Sequence, residues 1–201
     1  GYDNTKVYNI VPAGIVCFGE DPYESTKEAY KCALIAMGRP TAHRTEKPYP
    51  EIFEYLGWCS WNAYAFKVSE KDILFAAEEF KKKGVPVKFF IIDAGWLSEE
   101  KNRLTRMEPN EKFSSGFKVL SDKLKKDFDI KYVGIWHALQ GYWAGVSPKS
   151  NLYEEYKEYL FQGSDRRFLP NPADMKAFKF YFDWHQKMRS WNIDFTKVDT
   201  Q

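Results

Sequence analysis

The 201-residue sequence predicts an α/β fold built on parallel strands. Three observations carry this. From residue 55, apolar strand-like runs alternate three times with helical stretches, and a fourth run follows at 193–199. The run at 85–94 (VPVKFFIIDA) is almost continuously apolar, as a strand covered on both faces must be. Each run ends in polar or aromatic residues: Trp61-Asn62, Asp93 with Trp96, Trp136-His137, and Lys197 with Asp199. A strand-helix repeat of this kind demands parallel pairing with right-handed crossovers. A (β/α)8 barrel and a doubly wound sheet both begin this way. No GxGxxG or P-loop follows any strand, which weighs against the nucleotide-binding option. Functional residues at the carboxyl ends of strands are the habit of barrel enzymes. The expectation is therefore the first half of a (β/α)8 TIM barrel over 55–201, with about four parallel strands. A short strand-helix connector over 1–54 precedes it.

In chain order, residues 6–18 read as extended chain broken by Pro12 and Gly14. Asp21-Pro22 marks an N-cap with proline in the first turn, and Gly38 closes the helix that follows. Pro40, Pro48 and Pro50 make 39–51 a linker. The stretch 55–61 (YLGWCSW) is the first strand. Ser69 and Asp72 form a variant capping box, and Ile73, Leu74, Ala77 and Phe80 give the helix its apolar face before Gly84. After the strand at 85–94 a loop leads to a helix over 116–128, with Phe117, Leu120, Leu124 and Phe128 on one stripe. A third strand covers 131–137, and a long connection spans 138–171. Asn171-Pro172 starts the last helix, in which Trp184 and Trp191 belong to the core.

The composition is that of a globular domain, at 44% hydrophobic. The 30 basic and 28 acidic residues are interspersed and leave a net charge of +2, so no nucleic-acid footprint is expected. No run is apolar enough to span a membrane. Cys17, Cys32 and Cys59 are odd in number and far apart, which argues against a disulfide framework. They favour a reducing, cytoplasmic setting. His43 and His185 have no partner at metal spacing, so neither metal nor cofactor is expected.

Lys197, Asp199 and Gln201 share one face of the last strand, where a cation beside a carboxylate favours its charged form. Asp93 can bind a ligand hydroxyl or merely cap the loop after its strand. His137 can hydrogen-bond a ligand or stand as a satisfied structural group. Trp58 and Trp61 lie three apart, so on a strand one faces the core and the other, taken as Trp61, the ligand.

Four ordered motifs then converge on one family. They are 57–62 (GWCSWN), 91–96 (IIDAGW), 133–143 (VGIWHALQGYW) and 197–201 (KVDTQ). Together they resemble glycoside hydrolase family 36, closest to its branch of α-galactosidases, raffinose synthases and seed imbibition proteins. The resemblance implies a (β/α)8 catalytic domain with retaining chemistry on α-D-galactosides. Its nucleophile falls on Asp199, and its sugar-binding residues on Lys197, Asp93 and the tryptophans near Trp61, Trp96 and Trp136. It also implies a preceding β-sandwich domain, to which 1–54 would connect, and an acid/base aspartate beyond Gln201. The family's second strand usually reads Asp-Asp-Gly-Trp; here Ala94 holds the second position. Four strands leave two parallel edges unpaired, so the expectation is half of a longer barrel, with closure by a second copy as the alternative. A non-catalytic carbohydrate-binding half barrel is the competing functional expectation.

Overall fold

A computed structural model describes residues 14–38 and 44–200. The readings placed on residues 6–13, Pro40, His43 and Gln201 lie outside the described residues. The chain divides into two compact units between Glu51 and Ile52.

In the first unit, helix α1 (Pro22–Ala36) starts where the sequence places it. The Asp21 carboxylate accepts from the amides of Tyr23 (2.7 Å) and Glu24 (3.2 Å), and Pro22 opens the first turn. Gly38 follows the helix at φ +60°, a left-handed position suited to glycine.

The second unit runs, in order, β1 (Leu56–Cys59), α2 (Trp61–Tyr64), α3 (Glu70–Lys82), β2 (Val87–Ile92), β3 (Leu97–Glu100) and β4 (Arg103–Pro109). It continues with α4 (Phe117–Phe128), β5 (Tyr132–Ala138), α5 (Asn151–Tyr156), β6 (Leu160–Gln162), β7 (Phe168–Pro170), α6 (Lys176–Ser190) and β8 (Phe195–Asp199). The main sheet has the order β1-β2-β5-β8, and all three pairings are parallel. Each strand is laid beside its predecessor without reversal, which is barrel order; a doubly wound sheet reverses at a switch point.

The sheet's two faces differ. On the helix side Phe90, Ile92, Val133 and Ile135 are fully buried. Trp58 also packs there, against Phe80 and Phe90. On the opposite face Phe89, Ile91, Tyr132 and Phe195 are only half-buried. Large rings on this face stand over glycines. A Cβ on Gly57 would lie 1.9 Å from the Phe89 ring, and one on Gly134 would lie 2.4 Å from that of Phe195. Alternating large and small residues is how neighbouring strands fill a barrel interior.

The capping box at α3 forms as the sequence predicts: the Asp72 amide donates to the Ser69 hydroxyl (3.4 Å), and the Ser69 amide to the Asp72 carboxylate (2.9 Å). Asp194 accepts from the Val133 amide (2.7 Å) and pairs with Lys125 (2.8 Å), fastening the start of β8 to β5.

Two stretches read as loops carry structure of their own. Residues 97–109 form the antiparallel hairpin β3–β4. Its turn, Lys101-Asn102, takes φ of +50° and +61° without the glycine that usually advertises such a turn. Within 138–171 lie α5 and the hairpin β6–β7. Val146 bridges to Leu104 and to Phe168, and so links the two hairpins.

Candidate active site at the carboxyl ends of the strands

β1 ends at Cys59, β2 leads to Asp93, β5 carries Trp136, and β8 carries Lys197 and Asp199. Parallel register puts Trp136 beside Lys197 and Ala138 beside Asp199. With the period of two along each strand, Cys59, Asp93, Trp136, Lys197 and Asp199 face the side away from the helices.

Asp93 is 2% exposed, and three donors hold its carboxylate. Lys197 Nζ lies 2.5 Å from Oδ2, Cys59 Sγ lies 3.1 Å from the same oxygen, and the Ala94 amide donates to Oδ1 at 2.8 Å. The Asp93 amide donates to the hydroxyl of Ser60, itself fully buried, at 2.9 Å. A carboxylate this deep needs such partners, because burial of an unpaired charge is costly.

Asp199 accepts from the Trp136 indole Nε1 (3.1 Å) and from the Thr200 amide (2.7 Å). These two hydrogen bonds, with a smaller pull from the charge of Lys197, outweigh partial burial and hold its carboxyl below the usual aspartate range. It is therefore ionised at neutral pH. For Lys197 the largest influence is burial, which lowers its pKa; the hydrogen bond and charge of Asp93, helped by Cys59 and Asp199, together exceed that and leave it above the ordinary lysine value. The site thus holds a buried carboxylate, a cation and a second, ionised carboxylate at the carboxyl ends of one parallel sheet. That set can grip sugar hydroxyls and present a nucleophile to an electrophilic carbon.

The tryptophans and His137 differ from expectation. Trp96 does not join these residues: it is fully buried, its ring packs on Phe117 (4.9 Å) and Trp191 (6.3 Å), and its Nε1 donates to the Trp136 carbonyl at 2.8 Å. It follows the end of β2, so strand alternation does not govern it. His137 faces the helices, because it is one residue from Trp136 on β5. It is 1% exposed, packs on Trp184 of α6 (4.7 Å), and its Nε2 lies 3.0 Å from that of His185. Burial pushes its pKa down to about 4. Trp136 does face the site, but its ring is covered by Tyr142 and Trp143, so what it offers is its indole N–H to Asp199. Trp61 starts α2, where the strand argument lapses; it is 37% exposed and meets Phe66 edge-on at 5.0 Å.

Cys59, Ser60 and Thr200 belong to the site, and sequence reasoning missed all three as its members. For Cys59 a signal existed: it is two residues from Gly57 at the carboxyl end of β1, on the face that looks away from the helices. Among the described residues no group of three or more His, Cys, Asp and Glu is placed to hold a metal ion. Nor is any helix among them long and apolar enough to cross a membrane.

Comparison with known proteins identifies the family. The family described as raffinose synthase or seed imbibition protein Sip1 matches residues 4–111 and 97–164. A probable galactinol–sucrose galactosyltransferase 1 of Arabidopsis thaliana is 30% identical over 92% of this chain and 31% of its own length. A galactinol–sucrose galactosyltransferase of Pisum sativum is 32% identical over 64% of this chain and 20% of its own. The chain thus spans less than a third of the curated relatives it matches. Among solved structures, a GH36 α-galactosidase from Geobacillus stearothermophilus superposes with a TM-score of 0.61 at 16% identity, covering 88% of this chain and 24% of its own, and so shares the fold. With the family match covering most of its length and the barrel-type sheet beneath it, this chain belongs to the raffinose synthase and seed imbibition protein family.

Proposed function

We propose that the complete gene product carrying this chain is a retaining α-galactosidase or galactosyltransferase acting on α-D-galactosides of the raffinose type. One observation carries the reading: at the carboxyl ends of the parallel sheet Lys197 pairs with Asp93, and Asp199, two residues along the same strand from Lys197, is held ionised. The names of the relatives support a galactosyl donor and a sugar acceptor.

In this reading an Asp199 oxygen attacks the anomeric carbon of the galactosyl unit. The bond to the leaving oxygen breaks, and that oxygen takes a proton from a second carboxyl group. The covalent galactosyl–Asp199 ester is then opened by water or by an acceptor hydroxyl, whose proton returns to the same group. Whether water or a sugar attacks decides between hydrolysis and transfer. Asp93 and Lys197 hold the galactosyl hydroxyls meanwhile. The proton donor of the first step stands outside residues 1–201, on a later strand of the same barrel, and residues 1–54 connect to a preceding β-sandwich.

Replacing Asp199 by Asn in the complete gene product is the decisive test. Loss of aryl α-galactoside turnover by on the order of 10³-fold or more, with galactose still bound, is the expected result. The 201-residue chain by itself turns over no such substrate on this reading. Turnover by the purified 201-residue chain would defeat the proposed place of the proton donor.

One observation favours a carbohydrate-binding protein without turnover: Ala94 stands where the family usually has a second carboxylate. In that case Asp199→Asn leaves affinity unchanged and there is no activity to lose.

A further inference from the structure

We propose that Cys59 is a positioning residue, whose thiol fixes the orientation of the Asp93 carboxylate for a galactosyl hydroxyl. This rests on the functional reading above. A carboxylate offers about four acceptor positions. Three on Asp93 are taken, by Lys197 and Cys59 at Oδ2 and by the Ala94 amide at Oδ1. The position left over, on Oδ1, is the one the proposal gives to a ligand hydroxyl.

The two side chains at Oδ2 are unequal as orienting groups. Lys197 reaches it through a long flexible stem, and its side chain is 41% exposed. Cys59 has a single side-chain torsion and is the last residue of β1, in register with Ile91 of β2. Its backbone is therefore set by the sheet, and one torsion places its sulfur against Oδ2. Ser60, the next residue, receives the Asp93 amide. The end of β1 thus holds both the main chain and the carboxylate of Asp93, leaving little freedom in the plane of the carboxyl group.

The thiol must keep its proton to do this, since a thiolate 3.1 Å from Asp93 would repel it. Burial, together with the hydrogen bond and charge of Asp93, pushes the Cys59 thiol up and outweighs the Trp61 amide and Lys197, which act the other way. At neutral pH it is a donor.

The test uses the complete gene product, aryl α-galactoside kinetics and calorimetric titration with D-galactose. Cys59→Ala removes the donor and is expected to raise KM and weaken galactose about fivefold, the size of one net hydrogen bond, with less change in kcat. Cys59→Ser keeps a donor on the same torsion and is expected to recover most of that loss. In an Asp93→Asn background, Cys59→Ala is expected to add nothing further. Three results would overturn the proposal: unchanged affinity in Cys59→Ala, no recovery in Cys59→Ser, or full additivity with Asp93→Asn, which would mark mere packing. Failure of the functional reading looks different, because then Asp93→Asn and Asp199→Asn leave binding and turnover untouched. Should Cys59→Ala not fold, the Ser variant, alone and combined with Asp93→Asn, decides through the same cycle.

Discussion

Asp199 and Trp136 show how one hydrogen bond biases the charge state of a carboxylate, the nucleophile of the proposed reaction. The indole N–H is the leading cause of the lowered Asp199 pKa. Trp136→Phe keeps an aromatic side chain and removes that donor, so Asp199 is expected to titrate at higher pH. The acid limb of kcat/KM in the complete gene product is expected to move to higher pH in this variant. A limb that stays in place would show that the indole does not tune Asp199. His137 gives a second prediction at this scale, on stability. Its folded-state pKa of about 4 lies below the ordinary histidine value, so in the window between them the unfolded chain binds more protons. The stability it contributes is present above about pH 6.5 and is lost as pH falls toward 4, on the order of 3 kcal/mol in all. Thermal melts across this window should show a flatter pH dependence in His137→Gln. His185 is also held down by burial, so some slope remains.

Among the elements, α3 and the turn after β2 are the sharpest tests of local chemistry. Ser69→Ala removes the cap of α3 and should cost about 1 kcal/mol in denaturant melts. Gly95 has φ of +119°, and a Cβ there would meet the Phe66 carbonyl oxygen at 2.7 Å. Gly95→Ala should therefore cost about 2 kcal/mol or more, and should disturb the site, since Asp93 is two residues away. The four main strands and helices α3, α4 and α6 were legible because burial on one or both faces forces periodic apolar runs. The β3–β4 and β6–β7 hairpins were not. They are short, and their turns lack an Asn-Gly or Asp-Gly signal. They hold together through Val146, a residue far from both hairpins in the chain.

For the whole molecule, the main consequence is the sheet face turned away from the helices. Phe89, Ile91, Tyr132 and Phe195 lie half-buried on it, and β1 and β8 each have one strand neighbour among the described residues. Apolar surface joined to strand edges invites association. The purified 201-residue chain is therefore expected to bind a hydrophobic dye and to exceed monomer mass in light scattering at micromolar concentration. In the complete gene product, dye binding per chain should fall. Equal dye binding would mean that nothing covers this face there.

The order of the four main strands and of α3, α4 and α6, the apolar stripes of α3 and α4, the caps at Asp21 and Ser69, and the placing of Asp93, Lys197 and Asp199 at one end of the sheet could all be read from residue order. Each follows from a short-range period, or from the rule that parallel strands end on the same side of a sheet. Which way Trp96 and His137 turn could not be read so. Their directions depend on α4 and α6, which arrive from elsewhere in the chain and fill the opposite side. Nor could the thiol at Asp93 or the indole at Asp199 be seen. Each of those contacts joins residues on different strands, 34 and 63 positions apart, and only the sheet's register brings them within hydrogen-bonding distance.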